Sequence, residues 1–251
     1  IFLGSGIIQQ MIVSDPKILQ ILRDAGKIHQ EIIRELFATG LLTEWHTGVE
    51  IEEWIKETQK KRWVESAFLG QYNYPANIIL SVNDVVVHGV PMDIPFESGD
   101  IVKVDYGIRY KWYLTDAATT IIIGEPKNAR HVRCIEIAKN ALAAGIAQAK
   151  AGNFVWDISA AIETTVTQGG FHIIRELTGH GLWTQIHEKP DIYNFWRPGK
   201  GERLKAGMYI AIEPIVGFST RHIFDTGKHA ICMQDGGIGV QEEHCGIVGE
   251  E

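Results

Sequence analysis

Gly99-Asp100-Ile101-Val102-Lys103-Val104-Asp105-Tyr106-Gly107 is an apolar, β-branched run between glycines that ends near a carboxylate, and a second aspartate, Asp116, follows eleven positions after Asp105. The run predicts a strand. Tyr110-Lys111-Trp112 can reverse the chain, and a hairpin of that length brings both aspartates to the same end of paired strands. Taken alone, the pair is also explained by two turn or capping aspartates, although neither has turn residues on both sides.

Outward from this hairpin, the other charged positions on strand-like segments give the pair its meaning. Glu213 lies inside Met208-Tyr209-Ile210-Ala211-Ile212-Glu213-Pro214-Ile215-Val216, an almost continuous apolar run where an unpaired carboxylate costs several kcal/mol. Glu242 and Glu243 sit side by side in the strand-like segment 239–248, and alternation sends them to opposite faces, so one of the two faces any shared site. Periodicity does not choose between them. His180 stands in Gly179-His180-Gly181, His187 seven positions later, and His88 at the end of the run Val85-Val86-Val87. Each histidine by itself reads as a satisfied structural residue. Four carboxylates and an imidazole (Asp105, Asp116, Glu213 and one of Glu242 and Glu243, with His180) form a hard, oxygen-rich donor set that needs cations to neutralise it in a core, which predicts a dinuclear metal site.

The remaining chain supplies the frame. Residues 15–37 place Ile18, Ile21, Leu22, Ala25, Ile28, Ile32 and Leu36 at helical steps, with Ser14 or Asp15 as cap, Pro16 in the first turn and Gly40 as stop. A second helix is predicted over 49–64, a third from Val132 to about 152, and a fourth over 156–168 closed by Gly169-Gly170. Between and after these pairs lie strand-like runs at 78–82, 85–88, 101–108, 113–123, 207–216, 229–233 and 239–248, with Asn83-Asp84 as a tight turn. The order helix, helix, strands, helix, helix, strands predicts two related halves around one mixed sheet, with a surface loop at 197–203.

At 251 residues and 45% hydrophobic content the chain can bury one sizeable core, expected as a single catalytic domain over 11–251. Residues 1–10 show no period and read as a truncated or added segment, with Met11 as a candidate natural start. A net charge of −7 argues against DNA or general nucleic-acid binding, and Lys60-Lys61-Arg62 reads as a solvated helix face. Cys134, Cys232 and Cys245 form no CxxC pair, and no run is long enough for a membrane span, so a monomer in a reducing cytoplasm is expected.

Read together, Asn83-Asp84-Val85-Val86-Val87-His88-Gly89-Val90-Pro91, the 99–107 run, Thr115-Asp116, Gly179-His180-Gly181, Ile212-Glu213-Pro214 and Glu243-His244 resemble, in order and spacing, the methionine aminopeptidases of the bacterial type, within the creatinase/prolidase-like superfamily. The resemblance covers nearly the whole chain from about Met11. It implies the α+β pita-bread fold: a curved, mostly antiparallel sheet in two pseudo-symmetric halves covered by helices. It also implies removal of the N-terminal methionine from peptides and nascent proteins with two divalent ions (Co, Mn or Fe, with Zn a further option). Asp105, Asp116 and Glu243 then hold and bridge the cations, His180 and Glu213 ligate one of them, and the resemblance selects Glu243 over Glu242. His88 resembles the histidine that contacts the substrate near its amide or amino terminus, and His187 the one that polarises the amide carbonyl. Glu213, or a neighbouring carboxylate, carries the proton to the leaving amine.

The substrate pocket departs from the family pattern. Phe68 stands where a small residue or cysteine is common, Gln71 replaces a tyrosine of the motif that ends in Tyr74-Pro75, and Ile186 replaces an aromatic before His187. His229-Ala230 lies near the expected pocket tryptophan, and Trp183 either narrows the entrance or packs a loop. Reshaping of this kind alters discrimination by about 1–3 kcal/mol per methylene, which broadens specificity without removing activity. Two other readings are a relative with another N-terminal or Xaa-Pro preference and a non-catalytic binding protein; the filled ligand positions argue against the latter. A transient ribosome contact would need a basic patch, for which Arg197, Lys200 and Arg203 are the candidates, although a solvated loop explains them as well.

Overall fold

The computed structural model describes residues 12–199 and 201–250; the segment 1–10, Met11 and Lys200 lie outside the described residues. Helix α1 spans Pro16–Ala38 and α2 Gly48–Arg62. Strands β1 (Glu65–Ser66), β2 (Ile79–Val82), β3 (Val85–Val87), β4 (Ile101–Tyr106), β5 (Ile108–Tyr110), β6 (Tyr113–Leu114) and β7 (Ala117–Ile122) complete the first half. Helices α3 (Ala129–Gln148) and α4 (Val155–Gln168) open the second. Strands β8 (His172–Ile173), β9 (Thr178–Gly181), β10 (Glu188–Tyr193), β11 (Tyr209–Ile212), β12 (Ile215–Gly217), β13 (Ile223–Asp225), β14 (Ile231–Met233), β15 (Gly239–Gln241) and β16 (His244–Ile247) close it.

Helix ends follow local chemistry. Asp15 caps α1 by accepting from the Lys17 amide at 2.8 Å, with Pro16 in the first turn. A reciprocal pair starts α2: the Thr47 hydroxyl accepts from the Glu50 amide, and the Glu50 carboxylate accepts from the Thr47 amide at 2.7 Å. Trp63, left-handed at φ 56°, ends that helix. The buried stripes Ile32, Leu36, Ile51 and Ile55 of the first helix pair pack on Leu80, Val102, Val104 and Tyr106. In the second half Ile135, Leu142, Ile158 and Ile162 pack on Ile210, Ile212, Val216 and Val240. Two helices over antiparallel strands therefore recur twice, which is the pita-bread arrangement in two halves.

The expected mixed sheet is corrected: every strand ladder among the described residues is antiparallel, in five short sheets. Long strands predicted from apolar continuity are interrupted as well. The run 207–216 breaks at Glu213-Pro214, where proline has no N–H to give the ladder. The runs 239–248, 101–108 and 113–123 break at Glu242-Glu243, Gly107 and Thr115-Asp116. Asn83-Asp84 is a turn, but the strands on either side join different sheets, β2 pairing with β4 and β3 with β14.

These breaks place the chemistry. Ala118, opposite Asp105 across the β4–β7 ladder, exchanges both backbone hydrogen bonds with Glu243, at 2.8 and 3.3 Å. The Cys245 amide donates to the Asp116 carbonyl at 3.1 Å, and Ala211 lies between Cys245 and His180 in the β16–β11–β9 register. One chain of registers thus runs from Asp105 in the first half to His180 in the second. No helix is long and apolar enough to cross a membrane among the described residues.

Candidate metal centre

Asp105, Asp116, His180, Glu213 and Glu243, from five different segments, all line one cleft of about 1010 Å³. All five are buried. Single donor atoms of Asp116, His180 and Glu243 lie within 4.8 Å of one another, and His180 Nε2 is 3.5 Å from Glu213 Oε1 and 3.9 Å from Asp116 Oδ2.

The proton inventory shows what this cluster lacks. Burial, followed by the neighbouring His187, lowers the His180 pKa to about 3, so the ring is neutral at pH 7. Its Nδ1 faces the Gly181 carbonyl at 3.1 Å and donates to it, leaving Nε2 as an acceptor pointed at carboxylate oxygens that are acceptors too. Buried Asp105 Oδ1, Asp116 Oδ1 and Glu243 Oε1 have no protein partner. The Gln241 amide reaches Glu243 Oε2 at a long 3.4 Å. Burial raises the carboxyls of Asp116, Glu213 and Glu243, with their mutual charge adding to it, and pushes Asp105 up to about 7. So many inward acceptors with so few donors, in an oxygen-rich set with one imidazole, fit divalent cations.

Glycines make room for His180. A Cβ at Gly179 would collide with the Ala211 carbonyl of β11, and one at Gly181 with the Lys189 carbonyl of β10. Gly181→Ala is expected to destabilise the fold by about 1–3 kcal/mol through overpacking, read as a lower urea midpoint at unchanged slope.

His187 and His88 also line the cleft. The His187 ring stands edge-on to His180 at 4.5 Å and stacks on Tyr72, with Nδ1 3.4 Å from the Tyr72 hydroxyl. His88 follows β3 at φ 60°, and burial lowers its pKa to about 4, so it too is neutral at pH 7. Phe68, Gln71, Tyr74 and Ile186 line the same cleft; the Tyr74 hydroxyl donates to the Gly89 carbonyl at 2.7 Å, so that residue presents its ring. Trp183 does not line it. That indole is buried against Tyr113, ring centroids 4.7 Å apart, with Leu114 bonded to its carbonyl, which makes it a packing residue. Glu242 is likewise elsewhere, accepting from the Thr119 hydroxyl and the Thr120 amide.

Several residues lining the cleft escaped sequence reasoning, Gln241, Tyr72 and Ile79 among them. Gln241, two positions before Glu243, turns its carboxamide toward that carboxylate, and a period of two along the predicted run could have found it. Tyr72, 72% exposed, carried no periodic signal, and Ile79 looked like ordinary strand core.

Fold and cluster together define a class: a two-halved pita-bread protein with a hard-donor centre on the floor of its cleft. A profile of metallopeptidase family M24 matches residues 20–250, and the chain belongs to that family. Similar curated proteins include the methionine aminopeptidase of Clostridium perfringens, 33% identical over 85% of this chain and 84% of that protein, and methionine aminopeptidase 1 of Bacillus subtilis, 33% identical over 85% of each. Among solved structures, methionine aminopeptidase from Thermotoga maritima is 33% identical with a TM-score of 0.90, covering 96% of this chain and 97% of that one. The prolidase from Pyrococcus horikoshii shares the fold at 21% identity and a TM-score of 0.75, with this chain spanning 62% of its length.

Proposed function

We propose that this chain is a metal-dependent methionine aminopeptidase that hydrolyses the first peptide bond of peptides and newly made proteins. The observation that carries the reading is the convergence of Asp105, Asp116, His180, Glu213 and Glu243 on the cleft floor. Similarity to methionine aminopeptidases over most of both chains supports it. In this reading those five side chains hold two divalent cations. When bound, the cations supply positive charge that acidifies water and polarises the scissile carbonyl.

The chain's own residues do the rest. His187, whose Nδ1 lies 3.4 Å from the Tyr72 hydroxyl, would in the tautomer protonated on Nε2 donate to the carbonyl oxygen as charge develops there. His88, which lines the same cleft, contacts the substrate near its scissile amide or free amino group. Glu213, at the break after β11, moves a proton from the attacking water to the leaving amine. Phe68, Tyr74, Ile79 and Ile186 give the first side chain an apolar wall. Three free thiols, Cys134, Cys232 and Cys245, suit a reducing cytoplasm.

A panel of tripeptides differing only at the first residue, offered to chelated protein before and after Mn, Fe or Co is added, tests the reading. Metal-dependent release of free methionine is the expected result. Failure to release any residue with any of the three metals would overturn it.

A further inference from the structure

The cleft carries polar groups that the removal of methionine does not use. Strands β13 and β14 form a hairpin whose loop is tied by Thr226, which bonds to the Ala230 carbonyl through both its amide (3.1 Å) and its hydroxyl (2.8 Å), and by the Gly227 amide on Asp225 Oδ1 (2.7 Å). This loop holds His229 at φ 80°, in the left-handed region that histidine enters more readily than most side chains. Because Ile231 lies opposite Val87 in the β14–β3 register, His229-Ala230 emerges beside His88 at the cleft. The His229 ring is edge-on to Tyr74, centroids 5.6 Å apart at 82°, and lines the same space as Phe68, Ile79 and Ile186.

Among the described residues, no protein group hydrogen-bonds the ring nitrogens of His229 or the carboxamide of Gln71, which also lines the cleft. A wholly apolar side chain filling this pocket would cover these groups without satisfying them. A side chain of the same length with an oxygen at its fourth atom would meet an imidazole N–H and keep the apolar wall along its methylenes.

We propose a further activity of this cleft: removal of N-terminal residues that are uncharged, as long as methionine and bear an acceptor oxygen on the δ atom, namely glutamine and methionine sulfoxide, with His229 as the specificity-determining donor. The inference rests on the aminopeptidase reading above. The reaction is the same hydrolysis. Water's hydroxyl joins the first carbonyl carbon, the C–N bond breaks, the remaining proton goes to the leaving amine, and the side chain oxygen is neither reduced nor transferred.

The test compares kcat/KM for tripeptides beginning with methionine, norleucine, glutamine or methionine sulfoxide, using metal-loaded wild type, His229→Phe and His229→Asn. Phenylalanine keeps an aromatic ring without a donor, while asparagine keeps an amide donor and tolerates positive φ. In wild type, both polar substrates are expected within about tenfold of methionine. His229→Phe lowers the ratio of polar substrate to norleucine by about 10²-fold, the scale on which sites built around a hydrogen bond discriminate, and His229→Asn keeps it within about tenfold of wild type. Wild-type release of methionine but of neither polar residue would overturn the inference and leave the aminopeptidase reading standing. An unchanged ratio in a His229→Phe protein with a wild-type melting profile would also overturn it. Should that variant not fold, the wild-type panel and His229→Asn decide. Release of nothing at all would overturn both readings.

Discussion

Asp105→Asn lowers kcat/KM for a methionine-initiated tripeptide by about 10²–10⁴-fold, the equivalent of losing one member of a buried charge pair at about 3–5 kcal/mol. The substitution keeps the shape of the side chain and removes its charge. Asp105 is buried, sits opposite Ala118 in the β4–β7 ladder, and its Oδ1 has no protein partner, so nothing in the chain replaces the lost interaction. An inserted amide would also point N–H donors at a space where cations are to sit. Glu213→Gln should behave in the same way, because Glu213 Oε1 is the carboxylate oxygen recorded nearest to His180 Nε2. Isothermal titration of the chelated variants with Mn or Co separates the cause: weakened binding or a lost site accompanies the loss of turnover. Full activity in either variant after chelation and remetallation would exclude the five-ligand arrangement.

Cation binding should also appear in stability, with a definite pH dependence. The pKa of Asp105 is pushed up to about 7 and those of Asp116, Glu213 and Glu243 are raised, with burial the first cause in each. A carboxyl whose folded pKa exceeds its unfolded value of about 4 binds more protons when folded, so its contribution to stability falls as pH rises through that interval. His29, His88 and His180 act oppositely. Burial lowers them to about 4, 4 and 3, so the unfolded chain binds their protons below about 6.5 and their contribution grows with pH until that point. Below about pH 6.5 the two sets oppose each other. Above it the raised carboxyls titrate against one buried cation, Lys103, whose pKa burial lowers to about 7 and whose contribution therefore grows with pH; four carboxyls oppose that single ammonium, so chelated protein is expected to melt at progressively lower temperature from pH 6.5 to 8. Adding Mn or Co at 100 times its Kd at pH 7.5 contributes about 2.7 kcal/mol, or about 5–10 °C in Tm for a chain of this size. A melting temperature that climbs with pH in the chelated protein and ignores added cation would contradict the assignment.

Local chemistry was legible where it is local. Asp15-Pro16 marks the start of α1, and apolar spacing gives all four helices to within a few residues of their observed ends. The Thr47–Glu50 pair carried its own signal and explains why α2 begins earlier than apolar periodicity alone suggests. Strand breaks were less accessible. Pro214 announces one in the sequence, but Glu242-Glu243 looks like unbroken strand, and its interruption is set by the partners each residue takes: Glu243 the backbone of Ala118, Glu242 the side chain and backbone of Thr119 and Thr120. Trp183 shows the same limit from the other side, since only its contact with Tyr113 assigns it to packing.

By itself the sequence determined the donor types, the alternation of helix pairs with strands, and the motif order that resembles the methionine aminopeptidases. Tertiary structure alone decided which carboxylates face one another, that His229 stands beside His88, and that polar groups without protein partners line the substrate cleft. The physical reason is range. Helix caps and periodicity are written within a few residues, whereas the centre depends on backbone registers between remote segments, as where the Asp116 amide meets Cys245 Sγ at 3.3 Å from 129 residues away.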